Sequence, residues 1–172
     1  TLAKEDIQKF GYCVKGNHYV VTMNNPSSNI AAGTQRQIET LIDADFLPLL
    51  TKVMNNDEVE IQRESIWAIC NLTSVERKEY VEKIFSQGIV DTVCKCLKNK
   101  DPKHLAVGLE ALSNLLGHGK QYAQGGDNPV VEKIENLGMF DVLENLQYHP
   151  VEIVYEKVIK LMETYFDTEN TN

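Results

Sequence analysis

An apolar pattern that returns after 43 residues, and then after 50, constrains this chain more than any other feature of it. Asp45-Phe46-Leu47-Pro48-Leu49-Leu50 is answered 43 residues later by Gly88-Ile89-Val90-Asp91-Thr92-Val93. The offset holds without a gap. Glu58-Val59 matches Asp101-Pro102, Ala68-Ile69 matches Ala111-Leu112, and Asn71-Leu72 matches Asn114-Leu115. A third copy opens at Gly138-Met139-Phe140-Asp141-Val142-Leu143, 50 residues after Gly88, with the surplus assigned to a Gly-rich inter-repeat insertion over Gly117 to Gly126. Each copy is then one supersecondary unit that buries its apolar face only against its neighbours. Stacked units of that kind expose a long groove.

Periods in the forties are those of armadillo or HEAT units of two or three helices. The expected fold is therefore an all-α solenoid of about three complete repeats plus a partial or divergent N-terminal unit. Residues 34–76, 77–126 and 127–166 form the repeats, 1–33 the divergent segment and 167–172 a polar tail. Within the first repeat, Thr34 to Ile42 reads as a short helix, Asp45 as the cap of a second helix to about Asn55, and Glu58 as the start of a longer third. Arg77 to Ser86 and Ile89 to about Asn99 read as the short helices of the second repeat, with Gly88 as a left-handed cap between them. Asp101-Pro102 opens its third helix, since Pro in the first turn costs no hydrogen bond. Helices near Pro129 to Leu137, Met139 to Tyr148 and Pro150 to Phe166 complete the last repeat.

Charge and cysteine usage narrow the function. The net charge of -8 argues against nucleic-acid or anionic-membrane surfaces and favours basic partners. No run approaches eighteen apolar residues and no leader pattern opens the chain, so a soluble intracellular protein is expected. Cys13, Cys70, Cys94 and Cys96 make no Cys-x-x-Cys pair, and His18, His104, His118 and His149 are scattered, which predicts structural thiols, no metal and no cofactor. Gly117-His118-Gly119-Lys120 has the look of a phosphate loop, but Asn114 and Gln121 stand where that loop needs Gly and Ser or Thr. With no nucleophile, acid–base or phosphate constellation, an enzyme is not expected.

Trp67 and Asn71 lie four residues apart on the expected third helix and therefore share a face. Such a pair is ordinarily one core residue and one surface residue. On a repeated groove it gains another meaning. The indole offers an apolar wall and a cation-attracting face, and the carboxamide can grip a peptide backbone through both its donor and its acceptor.

Glu64-Ser65-Ile66-Trp67-Ala68-Ile69-Cys70-Asn71-Leu72-Thr73-Ser74, Ser28-Asn29-Ile30-Ala31-Ala32-Gly33, Leu109-Glu110-Ala111-Leu112-Ser113-Asn114 and Leu143-Glu144-Asn145-Leu146-Gln147-Tyr148-His149 resemble the carboxy-terminal armadillo repeats of the importin-alpha family. The resemblance covers about residues 28 to 166. It implies a right-handed superhelix and a nuclear import adaptor whose third helices hold basic localisation-signal peptides along Trp-x-x-x-Asn pairs. At the minor of the family's two sites, Trp67, Asn71 and Glu64 would bind peptide, joined by Asn29 and Ser28 of the preceding repeat. Asn114 and Glu110 are secondary candidates, because the next repeat keeps the amide but has Glu110 where the indole would stand, and the last repeat replaces both. The implied partners are basic cargo proteins and the export receptor that recycles importin-alpha, with shuttling between cytoplasm and nucleus. The segment that binds importin-beta and the major-site repeats find no match here, so the chain is expected to be a fragment or not to act as a full adaptor by itself.

Asn25, four before Asn29, stands where an indole would complete the preceding pair, and Pro26 interrupts its helix. Gly16 to Met23 alternates like an extended segment. An uncapped solenoid end also invites pairing between copies. The alternative to cargo binding is an armadillo interaction scaffold that has lost its localisation-signal groove.

Overall fold

The computed structural model describes residues 13–15, 18–20, 35–54, 59–123 and 125–166, which form two compact units, one ending at Gln87 and the other beginning at Gly88. The first unit opens with a two-stranded hairpin, β1 (Cys13–Lys15) and β2 (His18–Val20), antiparallel with Val14 opposite Tyr19. His18 to Val20 are extended as the alternation predicts, and Cys13, read as part of an irregular stretch, lies in the partner strand. Every other described element is a helix.

Among the described residues of this unit four helices follow: α1 (Gln35–Asp43), α2 (Phe46–Met54), α3 (Val59–Thr73) and α4 (Lys78–Ser86). Ile38, Leu41 and Ile42 of α1 share one face and are buried, as are Phe46, Leu47 and Leu50 of α2. They close on Ile66, Ile69 and Leu72 of α3, while Val81 and Ile84 carry α4 onto the same core. The outer faces of α1 and α4 are joined by polar contacts. Lys83 Nζ donates to Asp43 at 2.9 Å, Tyr80 Oη donates to the same carboxylate at 3.0 Å, and Arg77 pairs with Glu39 at 3.3 Å while stacking on the Tyr80 ring. The Lys83 ammonium, then the Tyr80 hydroxyl, hold the Asp43 carboxyl below its ordinary range.

The second unit holds α5 (Ile89–Cys96), α6 (Pro102–Tyr122), α7 (Pro129–Asn136), α8 (Phe140–Leu146) and α9 (Glu152–Tyr165). Asp101 caps α6 by accepting from the His104 amide at 3.2 Å, with Pro102 at the first helical position, as the Asp-Pro pair predicts. Asn128 does the same for α7, accepting from the Val130 amide at 3.0 Å. Long apolar faces of α6 (Leu105, Leu109, Leu112, Leu116) and α9 (Val154, Val158, Leu161) pack together, with α5 and α7 against the other sides of α6.

The repeat is visible in the backbone. Gly88 and Gly138 adopt left-handed φ of 76° and 62°, and Asp45, at the equivalent point of the first repeat, has φ 52°. After α7 the turn is a Schellman motif: Gly138 N–H bonds the Glu135 carbonyl and Met139 N–H bonds the Ile134 carbonyl. Asp45 thus makes the sharp turn that Gly makes elsewhere. Its carboxylate, expected to cap α2, accepts from Gln87 Nε2 at 2.8 Å and so ties the end of α4 to this turn.

One expectation is corrected. The Gly-rich stretch is not an insertion loop from Gly117 onward, because α6 runs unbroken to Tyr122. Gly119 makes room there for α7, since a Cβ on it would lie 2.0 Å from Asn128 Oδ1. Asn128 Nδ2 in turn donates to the Leu116 carbonyl at 2.9 Å, stitching the start of α7 to α6. Tertiary contact outweighs the helix penalty of glycine, about 1 kcal/mol for each.

Candidate functional site

The face of α3 that carries Glu64, Trp67 and Asn71 follows from the helix being buried around most of its circumference. Ser65, Ile66, Ala68, Ile69 and Cys70 are all buried, which leaves a narrow outward strip. On that strip Trp67 is 45 % exposed, and Glu64 and Asn71, one turn before and one turn after, are half-buried. An indole serving as core would be covered. This one presents a broad apolar face beside an amide and a carboxylate.

The C-terminal end of the strip is held in place. Gln35 Nε2 donates to the Ser74 carbonyl at 3.0 Å and its Oε1 accepts from the Glu76 amide at 3.3 Å. Ser74 Oγ and N–H both bond the Asn71 carbonyl, at 2.7 and 3.1 Å. Asn71 therefore sits at a fixed helix terminus, a requirement for an amide that is to meet a ligand in one geometry. Asn29 and Ser28, placed beside this strip by the resemblance, lie outside the described residues, as do Asn25 and Pro26.

In the second unit, α6 carries Glu110 and Asn114 at the positions that Trp67 and Asn71 hold on α3. Glu110 is exposed and Asn114 half-buried. Glu110 is already engaged: Lys157 Nζ of α9 makes an ion pair with its carboxylate. Sequence reading did not single out Lys157, although it stands two repeats on from Glu64 in the third-helix register and reverses the charge there.

Cys70, Cys94 and Cys96 are buried free thiols, and burial pushes Cys94 up to about 11. Among the described residues no group of His, Cys, Asp and Glu could hold a metal ion, and no helix is long and apolar enough to cross a membrane. A second exposed apolar set lies at the α8–α9 turn, where Tyr148, Ile153 and Tyr155 are 87, 47 and 44 % exposed.

The chain is similar to known proteins over most of its length. Residues 34–74 match the armadillo/beta-catenin-like repeat model, and residues 128–172 match the atypical Arm repeat model. The chain is 36 % identical over 146 residues to importin subunit alpha-4 of Arabidopsis thaliana, covering 83 % of this chain and 27 % of that protein. It is 32 % identical over 139 residues to importin subunit alpha-5 of the same plant, covering 80 % and 27 %. Among solved structures, a computationally designed armadillo repeat protein for modular peptide recognition superposes with a TM-score of 0.67 at 27 % identity, covering 80 % of this chain and 54 % of that one. The chain thus spans about a quarter of the length of these curated relatives.

Proposed function

This chain belongs to the armadillo-repeat family and is related to the importin alpha subunits, and on that premise we propose that it binds extended basic peptides of the nuclear-localisation type along the outward strip of α3. The observation that carries this reading is the exposure of Trp67 on a helix whose neighbouring residues are buried. The indole walls a peptide lysine or arginine and attracts its charge, a contribution of about 0.5–2 kcal/mol. Asn71 bonds the peptide backbone through both ends of its carboxamide, and Glu64 supplies the counter-charge. Asn29 and Ser28 extend the same rung into the preceding repeat. Glu110 and Asn114 are the weaker candidates on α6, where Lys157 already pairs with Glu110.

In this reading the protein works as a nuclear import adaptor, without catalysis, and moves between cytoplasm and nucleus. The export receptor docks on the last repeats, where the exposed Tyr148, Ile153 and Tyr155 offer apolar surface. The second reading, a scaffold whose localisation-signal groove is lost, is favoured at α6 by the pairing of Glu110 with Lys157.

Titration with a labelled basic localisation peptide separates the two. Trp67→Ala with Asn71→Ala is expected to weaken binding by about tenfold or more, as for a central aromatic anchor. An unchanged affinity would sink the groove reading and leave the scaffold. Binding should also weaken steadily as ionic strength rises.

A further inference from the structure

The third helices of the last two repeats can be set in register from their N-caps, Asp101 for α6 and Val151 for α9. In that register α6 presents Glu110 where α3 presents Trp67, and Asn114 where α3 presents Asn71. A carboxylate and an amide on one outward face could still take a basic peptide, the acid receiving an ammonium and the amide the backbone. On α9 the same two positions are Lys160 and Thr164, which offer neither. Three residues before Lys160 stands Lys157, in the register of Glu64, and its ammonium lies on Glu110. The apolar neighbours of Lys157 on α9, Val154, Val158 and Leu161, are buried, and α9 packs directly against α6. The lysine stem is thus led by the packing to the one carboxylate that replaces an indole.

We propose that Lys157 is an internal substitute for a ligand lysine, occupying Glu110 and closing the α6 rung to basic peptides. This deepens the peptide-binding reading and takes its ligand class from it, but it is carried by α6 and α9 alone.

The test is a fluorescence-anisotropy titration of the full chain with a labelled tetralysine peptide at low ionic strength. Lys157→Met keeps the apolar stem and removes the charge, and it is expected to tighten binding about two- to fivefold, the range of one exposed ion pair. Adding Glu110→Gln should return affinity to the parent value. Lys120→Ala, the loss of another exposed positive charge on α6, should leave it unchanged. The same gain is expected in a Trp67→Ala/Asn71→Ala background. Failure of the α3 reading would show separately, as equal affinity of the parent and that double variant. The proposal is overturned if Lys157→Met binds like the parent, if the gain survives Glu110→Gln, or if Lys120→Ala produces it too.

Discussion

Gln35 on α1 holds Ser74 just past the end of α3, its amide donating to the Ser74 carbonyl at 3.0 Å while its oxygen accepts from the next-but-one amide, that of Glu76. One side chain thus satisfies two backbone groups at a helix terminus that also carries Asn71. Gln35→Ala should lower stability by about 0.5–1.5 kcal/mol, the net worth of such bonds. Hydrogen exchange should quicken first at residues 72–76, and exchange that speeds up evenly over the whole first unit would refute this account.

The left-handed turns give a cleaner test. Among the described residues a Cβ at Gly88 would find no atom closer than 4.0 Å, and one at Gly138 would find none within 4 Å, so an alanine there meets open space and a disfavoured backbone. Gly88→Ala and Gly138→Ala should each cost about 1–2 kcal/mol through φ alone. Denaturant midpoints measure this; equal stability of parent and variants would mean that the turns relax freely.

Most of the helical frame was legible before the structure, because an apolar period of 43 residues fixes equivalences that local propensity does not. It placed Asp45, Gly88 and Gly138 at one point of the repeat, and all three share left-handed φ. What stayed hidden depended on tertiary contact. The exposure of Trp67 follows from Ile66, Ala68 and Ile69 being buried around it, which spacing alone does not decide. Lys157 and Glu110 are 47 residues apart, and only the packing of α9 on α6 brings them together. The helix through Gly117 and Gly119 was missed because glycine reads as a breaker until a neighbour claims its missing side chain.

Those two glycines should respond in opposite ways. At Gly117 the only atom of the described residues near a new Cβ is Tyr165 Oη at 3.4 Å, an ordinary contact, so Gly117→Ala should be neutral or stabilise by up to about 1 kcal/mol through helix propensity. At Gly119 a Cβ would meet Asn128 Oδ1 at 2.0 Å and Val130 Cγ2 at 2.9 Å. Gly119→Ala should therefore break the Asn128 stitch and destabilise by about 1–3 kcal/mol. Thermal unfolding of both variants, compared side by side, checks the contrast; equal melting temperatures would show that α7 yields.

Buried thiols set an alkaline limit. Burial first, and the Asp91 carboxylate second, raise Cys94 from 9.0 to about 11, and burial raises Cys96 as well. Between those values the unfolded chain releases the Cys94 proton while the folded chain keeps it. The folded state then binds more protons than the unfolded one, so stability must fall as pH rises through that window. Each unit of mismatch is worth about 1.4 kcal/mol, which puts the loss on the order of 1–3 kcal/mol by the upper end. Other groups titrate in the same window, so the measurement is a difference: urea midpoints across the alkaline range for the parent and for Cys94→Ala. The variant should start lower at neutral pH, having lost packing, and should fall less steeply above pH of about 9. Parallel curves would mean that the Cys94 thiol ionises in the folded protein as readily as in the unfolded one, and at neutral pH such a thiol should also react with iodoacetamide before unfolding, which a buried, protonated Cys94 does not.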